Sequence, residues 1–449
     1  MRVLRILGAI VAIVAVAGLA FALWIVTTPR PMAFAPGPKV TLSAYRAADP
    51  TGVPAELAGT SLLQRGEYLA RAADCMVCHT AKGGAPYAGG FAFTLPFGTI
   101  YSTNITPDRE TGIGAYSDAD FLKAMHRGVR RDGARLYPAM PFTSYTYMTD
   151  ADALAIKAYL FSQAPVHAPA RPNALMFPFD QRWLMALWAL PFNPDKRFEP
   201  VTSQTPAWNR GAYLAEALAH CGECHTPRNL AFALDNRKKF GGALTAGWRA
   251  YNISADKGAG LGGWSDDQVV SYLGSGHALG HGTATGPMAE AVDDSLGLLA
   301  PSDVLALVAY LRTVPATASH DLPATLAPPA PPSHRQGVQI SDPRGKQIFE
   351  GACASCHDWT GVSPITPMAT LTGARAVNDP TATNVAQVVI SGAVRRNPPG
   401  ALSMPAFGAA YSDGEIAAVA NYVTARFGSS PSSLTEKDVA ALRKQTAQP

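Results

Sequence analysis

Charge is thin in this chain. Only 16% of its 449 residues are Asp, Glu, Lys or Arg, and 37 basic against 33 acidic residues leave a formal net charge of +4. No Lys/Arg block occurs, so the concentrated basic footprint of a nucleic-acid binder is missing. Cysteine is scarcer still, six residues in all. They fall into three pentapeptides, and none remains to build a zinc site of finger spacing.

Those pentapeptides read Cys75-Met-Val-Cys78-His79, Cys221-Gly-Glu-Cys224-His225 and Cys353-Ala-Ser-Cys356-His357. A redox dithiol has no need of the trailing His and would rarely occur three times. Cys-x-x-Cys-His is the attachment signature of c-type haem. The two thiols form thioethers with the porphyrin vinyl groups, and the adjacent imidazole takes one axial position on the iron. The sequence therefore predicts three covalently bound haem c groups, held by Cys75, Cys78, Cys221, Cys224, Cys353 and Cys356, with His79, His225 and His357 as iron ligands.

A chain of this length calls for about three domains, matching the motif count. Haem attachment of this kind requires export, and the N-terminus carries a suitable signal. Arg2 and Arg5 precede an uncharged run from Ile6 to Val26. At 1.5 Å per residue that run is long enough to span a bilayer core. Ala15-Val16-Ala17 resembles a cleavage site but lies inside the apolar run, and Trp24 suits an interfacial anchor. We read residues 1–31 as an uncleaved transmembrane anchor, with a cleaved signal peptide as the alternative. The basic end faces the cytoplasm and the remainder lies on the periplasmic side of the inner membrane.

The rest of the chain repeats. Gly128, Gly276 and Gly392 each precede a methionine by twelve residues: Met140, Met288 and Met404. A fixed offset of this kind marks one repeated unit. Pro138 and Pro141, Pro287, and Pro405 flank these methionines and stiffen their loops. Arg65-Gly66-Glu67-Tyr68 before the first haem motif echoes Arg210-Gly211-Ala212-Tyr213 before the second, and Arg344-Gly345 precedes the third. Ser117, Ser265 and Ser412 read as helix N-caps. The recurring order is helix, Cys-x-x-Cys-His, loop, helix, Met loop, C-terminal helix. We therefore expect a mainly α fold of three tandem mono-haem cytochrome c domains behind an N-terminal transmembrane helix, with Met140, Met288 and Met404 as sixth ligands. Among competing ligands, Met148 and His126 lie near Met140. His277 and His281 crowd the loop before Met288 and leave bis-His ligation open there, while His220 reads as a haem-edge contact.

The domains are expected at 60–164, 203–316 and 339–430, with a connector at 165–202, a Pro/Ala-rich linker at 317–338 and a C-terminal tail at 431–449. The connector carries Phe177, Phe179, Trp183, Leu187, Trp188, Leu190 and Phe192. It is too short and too Pro-bounded to span a bilayer. Packing between the first two domains is the plain reading; contact with the membrane surface, a quinone or a partner is the sharper one. The stretch Glu436–Gln445 reads as a surface helix without a strong apolar face.

With Pro96-Phe97-Gly98-Thr99-Ile100-Tyr101-Ser102-Thr103-Asn104-Ile105-Thr106-Pro107-Asp108, Leu136-Tyr137-Pro138-Ala139-Met140-Pro141-Phe142 and Cys224-His225-Thr226-Pro227-Arg228-Asn229 added, the chain resembles the tri-haem cytochrome c subunit of bacterial membrane-bound dehydrogenases. The resemblance covers nearly everything after the anchor. It implies axial pairs His79/Met140, His225/Met288 and His357/Met404. It also implies an electron-transfer subunit that is not itself the enzyme, taking electrons from a periplasmic dehydrogenase catalytic subunit and passing them to ubiquinone. A small Fe-S subunit is a further candidate partner. Members paired with alcohol or sugar dehydrogenases often attach through a C-terminal amphipathic segment, whereas this chain ends in Gln445-Thr446-Ala447-Gln448-Pro449. An N-terminal anchor resembles the members paired with molybdenum aldehyde dehydrogenases, the expected partner here; a quinoprotein alcohol or flavin sugar dehydrogenase is the alternative. Two rivals are a di-haem peroxidase, which needs an iron without a Met ligand, and a cytochrome c subunit of a terminal oxidase.

Overall fold

The computed structural model describes residues 2–319, 342–396 and 402–446. The Pro/Ala-rich linker lies almost wholly outside these residues. Helix α1 (Arg2–Val26) is apolar all round and exposed along its described length. It is the one helix among the described residues long and apolar enough to cross a membrane.

After it the chain builds helix pairs. Helix α2 (Leu62–Ala72) leads into the first haem motif, followed by α3 (Asp118–Arg127) and α4 (Asp150–Phe161). The connector forms α5 (Leu184–Phe192). Next come α6 (Pro206–Tyr213), α7 (Asp266–Ser275), α8 (Pro287–Asp294) and α9 (Pro301–Leu311). The last set is α10 (Pro343–Ile348), α11 (Thr383–Ser391), α12 (Asp413–Phe427) and α13 (Glu436–Thr446). Strands are few and short. Strand β1 (Ala92–Leu95) pairs antiparallel with β2 (Gly98–Tyr101), and β3 (Ala174–Leu175) from the connector adds to the other edge of β2.

Three crossings organise the molecule: α2 on α4, α6 on α9, and α10 on α12. Each needs a glycine for the same reason. A Cβ at Gly66 would lie 2.0 Å from the Ala155 carbonyl, at Gly211 1.9 Å from that of Ala306, and at Gly345 2.2 Å from that of Ala418. The neighbouring tyrosines Tyr159, Tyr310 and Tyr422 close each crossing from the far helix. The repeated Arg-Gly element is thus a helix-contact element, set by how closely two backbones approach.

The serine caps form as expected. Ser117, Ser265 and Ser412 each close a capping box, with Asp120, Gln268 and Glu415 returning the bond. Helices α3 and α7 then end on Gly128 and Gly276, at φ 60° and 70°. That left-handed conformation costs glycine nothing.

The first two crossings share one core with a swapped polar lock. Arg65 pairs with Asp152 at 2.8 Å, and the Tyr213 hydroxyl reaches the same carboxylate from the next unit at 2.6 Å. In return Arg210 binds Asp303 through two nitrogens at 2.6 and 2.8 Å, and Tyr68 donates to Asp303 at 2.6 Å. The third unit cannot join this exchange, because Gln347 stands where the others carry Tyr. It docks instead through Arg395, buried against Asp293 of α8 at 2.5 Å, and through Asn384, which bonds both ways to the Arg249 main chain.

Helix α13 is more than a surface helix. Val439 and Leu442 are buried on the third core, and Arg443 ties it to Asp413 at 2.8 Å. Val439 and Leu442 are its only large apolar side chains, and both face the core.

Candidate haem sites

Each pentapeptide makes a single helical turn, over Cys75–Cys78, Gly222–His225 and Ala354–His357. None of the six cysteines is in a disulfide. One turn brings both thiols and the imidazole to the same side of the chain, as two thioethers and an axial ligand on one porphyrin require. Burial pushes the Cys75 and Cys221 thiols up to about 12, and the Cys224 and Cys353 thiols to about 11. Such thiols are protonated and poor nucleophiles in the folded chain.

The histidines are held alike. His79 Nδ1 lies 2.7 Å from the Thr103 carbonyl, His225 Nδ1 2.6 Å from that of Tyr251, and His357 Nδ1 2.6 Å from that of Ala369. A carbonyl only accepts, so Nδ1 carries the proton and Nε2 keeps its lone pair for a metal. Burial lowers the pKa of all three imidazoles, which favours the neutral, ligating form. The residues fit a covalently held haem.

The acceptor loops of the first two sites are copies. Asn104 and Asn252 follow the accepting residues, and their side-chain oxygens accept from Thr106 N at 2.9 Å and Ser254 N at 2.8 Å. The third acceptor lies only twelve residues past its histidine, in the turn Pro367–Ala369, and lacks this loop. No motif marks an acceptor carbonyl, and the one sequence signal for the loop, the repetition of Asn104-Ile105-Thr106 as Asn252-Ile253-Ser254, becomes apparent only beside the structure.

The methionines are not presented identically. Gly128 and Gly276 are followed by tight hairpins pairing Val129 with Arg135 and His277 with Thr283. Met140 then lies just before a short helix, and Met288 lies in the first turn of α8. Gly392 opens a longer hairpin in which Ala393 pairs with Met404 itself. The twelve-residue offset therefore recurs on two different backbones.

The competing ligands differ in what holds them, and Nε2 of both His126 and His277 is buried without a hydrogen-bond partner among the described residues, which keeps bis-His ligation open at the second site. Met148 is fully buried in the core. The imidazole of His126 is 2% exposed, with Nδ1 3.6 Å from Asp150. His277 Nδ1 bonds Thr283 at 2.9 Å, and His281 stacks on Trp264 at 3.8 Å. His220 packs edge-on against Tyr145 at 5.6 Å, and the Tyr145 hydroxyl donates to the Ala73 carbonyl at 2.7 Å. The first two haem motifs thus meet through one tyrosine. Asp74, beside Cys75, is pushed up to about 8 by burial and by the charges of Asp294 and Glu290 on α8. The second and third sites also touch: Thr283 donates to the Met368 carbonyl at 2.9 Å, one residue from the acceptor of His357.

Single-turn Cys-x-x-Cys-His segments, oriented imidazoles and helix crossings define a c-type cytochrome. The general cytochrome c family model matches residues 63–164, and that of "Cytochrome C oxidase, cbb3-type, subunit III" matches 341–423. Whole-length relatives are more specific. The chain is 38% identical to the gluconate 2-dehydrogenase cytochrome c subunit of Pantoea cypripedii, covering 86% of this chain and 90% of that protein. It is 38% identical to the fructose dehydrogenase cytochrome subunit of Gluconobacter japonicus, over 85% and 82%. A nicotinate dehydrogenase subunit of Pseudomonas putida is 40% identical over 82% of this chain, which spans 30% of that longer protein. The chain belongs to the family of cytochrome c subunits of bacterial dehydrogenases, electron-transfer subunits distinct from the catalytic one.

Proposed function

We propose that the chain carries three haem c groups in domains at 60–164, 203–316 and 339–430. The axial pairs are His79/Met140, His225/Met288 and His357/Met404. A haem iron with His and Met ligands exchanges single electrons and has no free coordination position for oxygen or peroxide. The observation carrying this reading is the threefold repetition of an imidazole fixed through Nδ1 to a main-chain carbonyl. Adjacency supports a relay, because the second unit touches both of the others at residues next to the haem-binding segments.

In this reading electrons enter from a periplasmic dehydrogenase catalytic subunit, with a small Fe-S subunit as a further partner, and leave to ubiquinone in the inner membrane. Helix α1 supports membrane attachment at the N-terminus, the feature that points to a molybdenum aldehyde dehydrogenase as partner. The gluconate and fructose dehydrogenase relatives favour a second reading, a sugar or alcohol dehydrogenase partner. The oxidase-type match covers one domain and carries less weight than relatives spanning the chain. Purifying the complex from native membranes through this chain, followed by mass spectrometry, tests the reading. A dehydrogenase subunit with molybdopterin, flavin or pyrroloquinoline quinone is expected; oxidase subunits with copper or haem b would overturn it.

A further inference from the structure

Helix α5 faces two ways. Its inner side is pinned: Trp188 packs edge-on against Phe142, and its Nε1 donates to the Ala231 carbonyl at 2.7 Å. Its outer side carries Trp183, Leu187 and Leu190, at i, i+4 and i+7, with 62%, 58% and 78% of their surfaces exposed. The patch continues on both flanks. Phe177 is 78% exposed in the connector and Leu230 77% exposed at the tip of the hairpin 228–234. Phe232 of that hairpin is joined to the connector through Phe97, whose ring stacks on Phe179 at 4.2 Å and meets Phe232 edge-on at 5.0 Å. Three separate chain segments thus bring exposed apolar side chains to one outward region, with Asp180 the exposed charge between Phe177 and Trp183. A face of this composition on a folded domain marks an interaction site.

The same loop gives the occupant. Seven residues beyond Leu230, Arg237 lies over the Trp24 ring at 4.4 Å and donates to the Trp24 carbonyl and, at 3.1 Å, to Thr28 Oγ1. Asn236 donates to the Pro29 carbonyl at 3.0 Å. The loop 228–237 is therefore fastened to the end of α1, where a spanning helix leaves the lipid and where Trp and Arg favour the interface. Seven residues reach at most about 25 Å, which bounds the distance of the apolar tip from that level.

We propose that the outer face of α5 and the tip of the 228–234 hairpin lie in the phospholipid headgroup–acyl boundary, as a second membrane contact beside α1. Phe177, Trp183, Leu187, Leu190, Leu230 and Phe232 enter the boundary. This rests on reading α1 as a membrane span. It deepens the proposed function, since it sets the second haem unit against the bilayer in which a quinone dissolves.

The test is photolabelling of native inner-membrane vesicles containing the whole complex, using a bilayer-confined diazirine and mapping adducts by mass spectrometry. Adducts are expected on peptides from 2–26 and also on those covering 176–192 and 228–234. The double variant Leu187→Glu with Leu190→Glu should lose the adducts on 176–192 while keeping those on 2–26 and an unchanged haem spectrum. Both positions are exposed, so folding is not at stake. Adducts on 2–26 alone would overturn the proposal and leave the anchor standing, the face then lying in water or against a catalytic subunit. Adducts on none of these peptides would overturn the anchor reading and the proposal with it.

Discussion

Tyr68 and Asp303 lie 235 positions apart in sequence, yet the tyrosine hydroxyl donates to the carboxylate at 2.6 Å inside a buried interface. The partner exchange, Tyr213 to Asp152, repeats the contact in the opposite direction at the same length. The first two units are therefore one cooperative body.

Removing one hydroxyl should loosen that body without unfolding it. Tyr68→Phe leaves Asp303 with its Arg210 bonds but forfeits two hydrogen bonds, the charge-assisted one to Asp303, about 1.5–3 kcal/mol, and the one accepted from Ala300 N at 3.1 Å. Asp303→Asn should cost more, about 3–5 kcal/mol, because Arg210 is left buried without its anion. Thermal melts followed at the Soret band check both. Equal losses would show that the tyrosine, not the ion pair, holds the interface.

Gly211→Ala should be worse tolerated than an alanine on an open helix face. The added Cβ meets the Ala306 carbonyl at 1.9 Å, so α6 and α9 must separate. Overpacking of that kind costs about 1–3 kcal/mol or more. Haem content per chain is the readout, and a fall is expected. Gly274→Ala, at a glycine with nothing within 4 Å of its Cβ, is the control.

Burial lowers the pKa of His126 to about 4, with Arg197 adding to the effect. The unfolded chain would titrate this group near 6.5. A base with a depressed folded pKa is neutral in the fold while the unfolded chain takes a proton, so its stabilisation is present above about 6.5 and is lost as pH falls towards 4. The full effect is on the order of 3 kcal/mol. His126→Gln should flatten the fall in Tm between pH 7 and pH 4.5. An unchanged slope would mean the imidazole titrates normally.

Met140→Ala, Met288→Ala and Met404→Ala should each remove about a third of the methionine–ferric charge-transfer band and lower one reduction potential. A variant that leaves the band intact would exclude that methionine as a ligand. Met404 is the most informative of the three, since its strand presentation differs from the other two.

Much of this architecture was legible because it is local. A serine cap is decided within a turn of chain, so Ser117, Ser265 and Ser412 could be read from the sequence, whereas Gly128 and Gly276 stood out there only by their fixed offset from a methionine. The haem-binding pentapeptides are local in the same sense. What escaped depends on distant partners. The Tyr68–Asp303 exchange, the Arg237–Trp24 contact and the seating of α13 have no sequence-near signal. Met404 shows the opposite hazard, an identical offset produced by a different hairpin. The plain reading of the connector holds for part of it: Trp188 and Phe192 pack inward, whereas Trp183, Leu187 and Leu190 are exposed.

The most direct measurement is the intact mass of the purified chain under denaturing conditions, for the native protein and for Cys75→Ala/Cys78→Ala, Cys221→Ala/Cys224→Ala and Cys353→Ala/Cys356→Ala. The account predicts three haem masses on the native chain and two on each variant. Fewer than three on the native chain, or a variant that keeps all three, would contradict it.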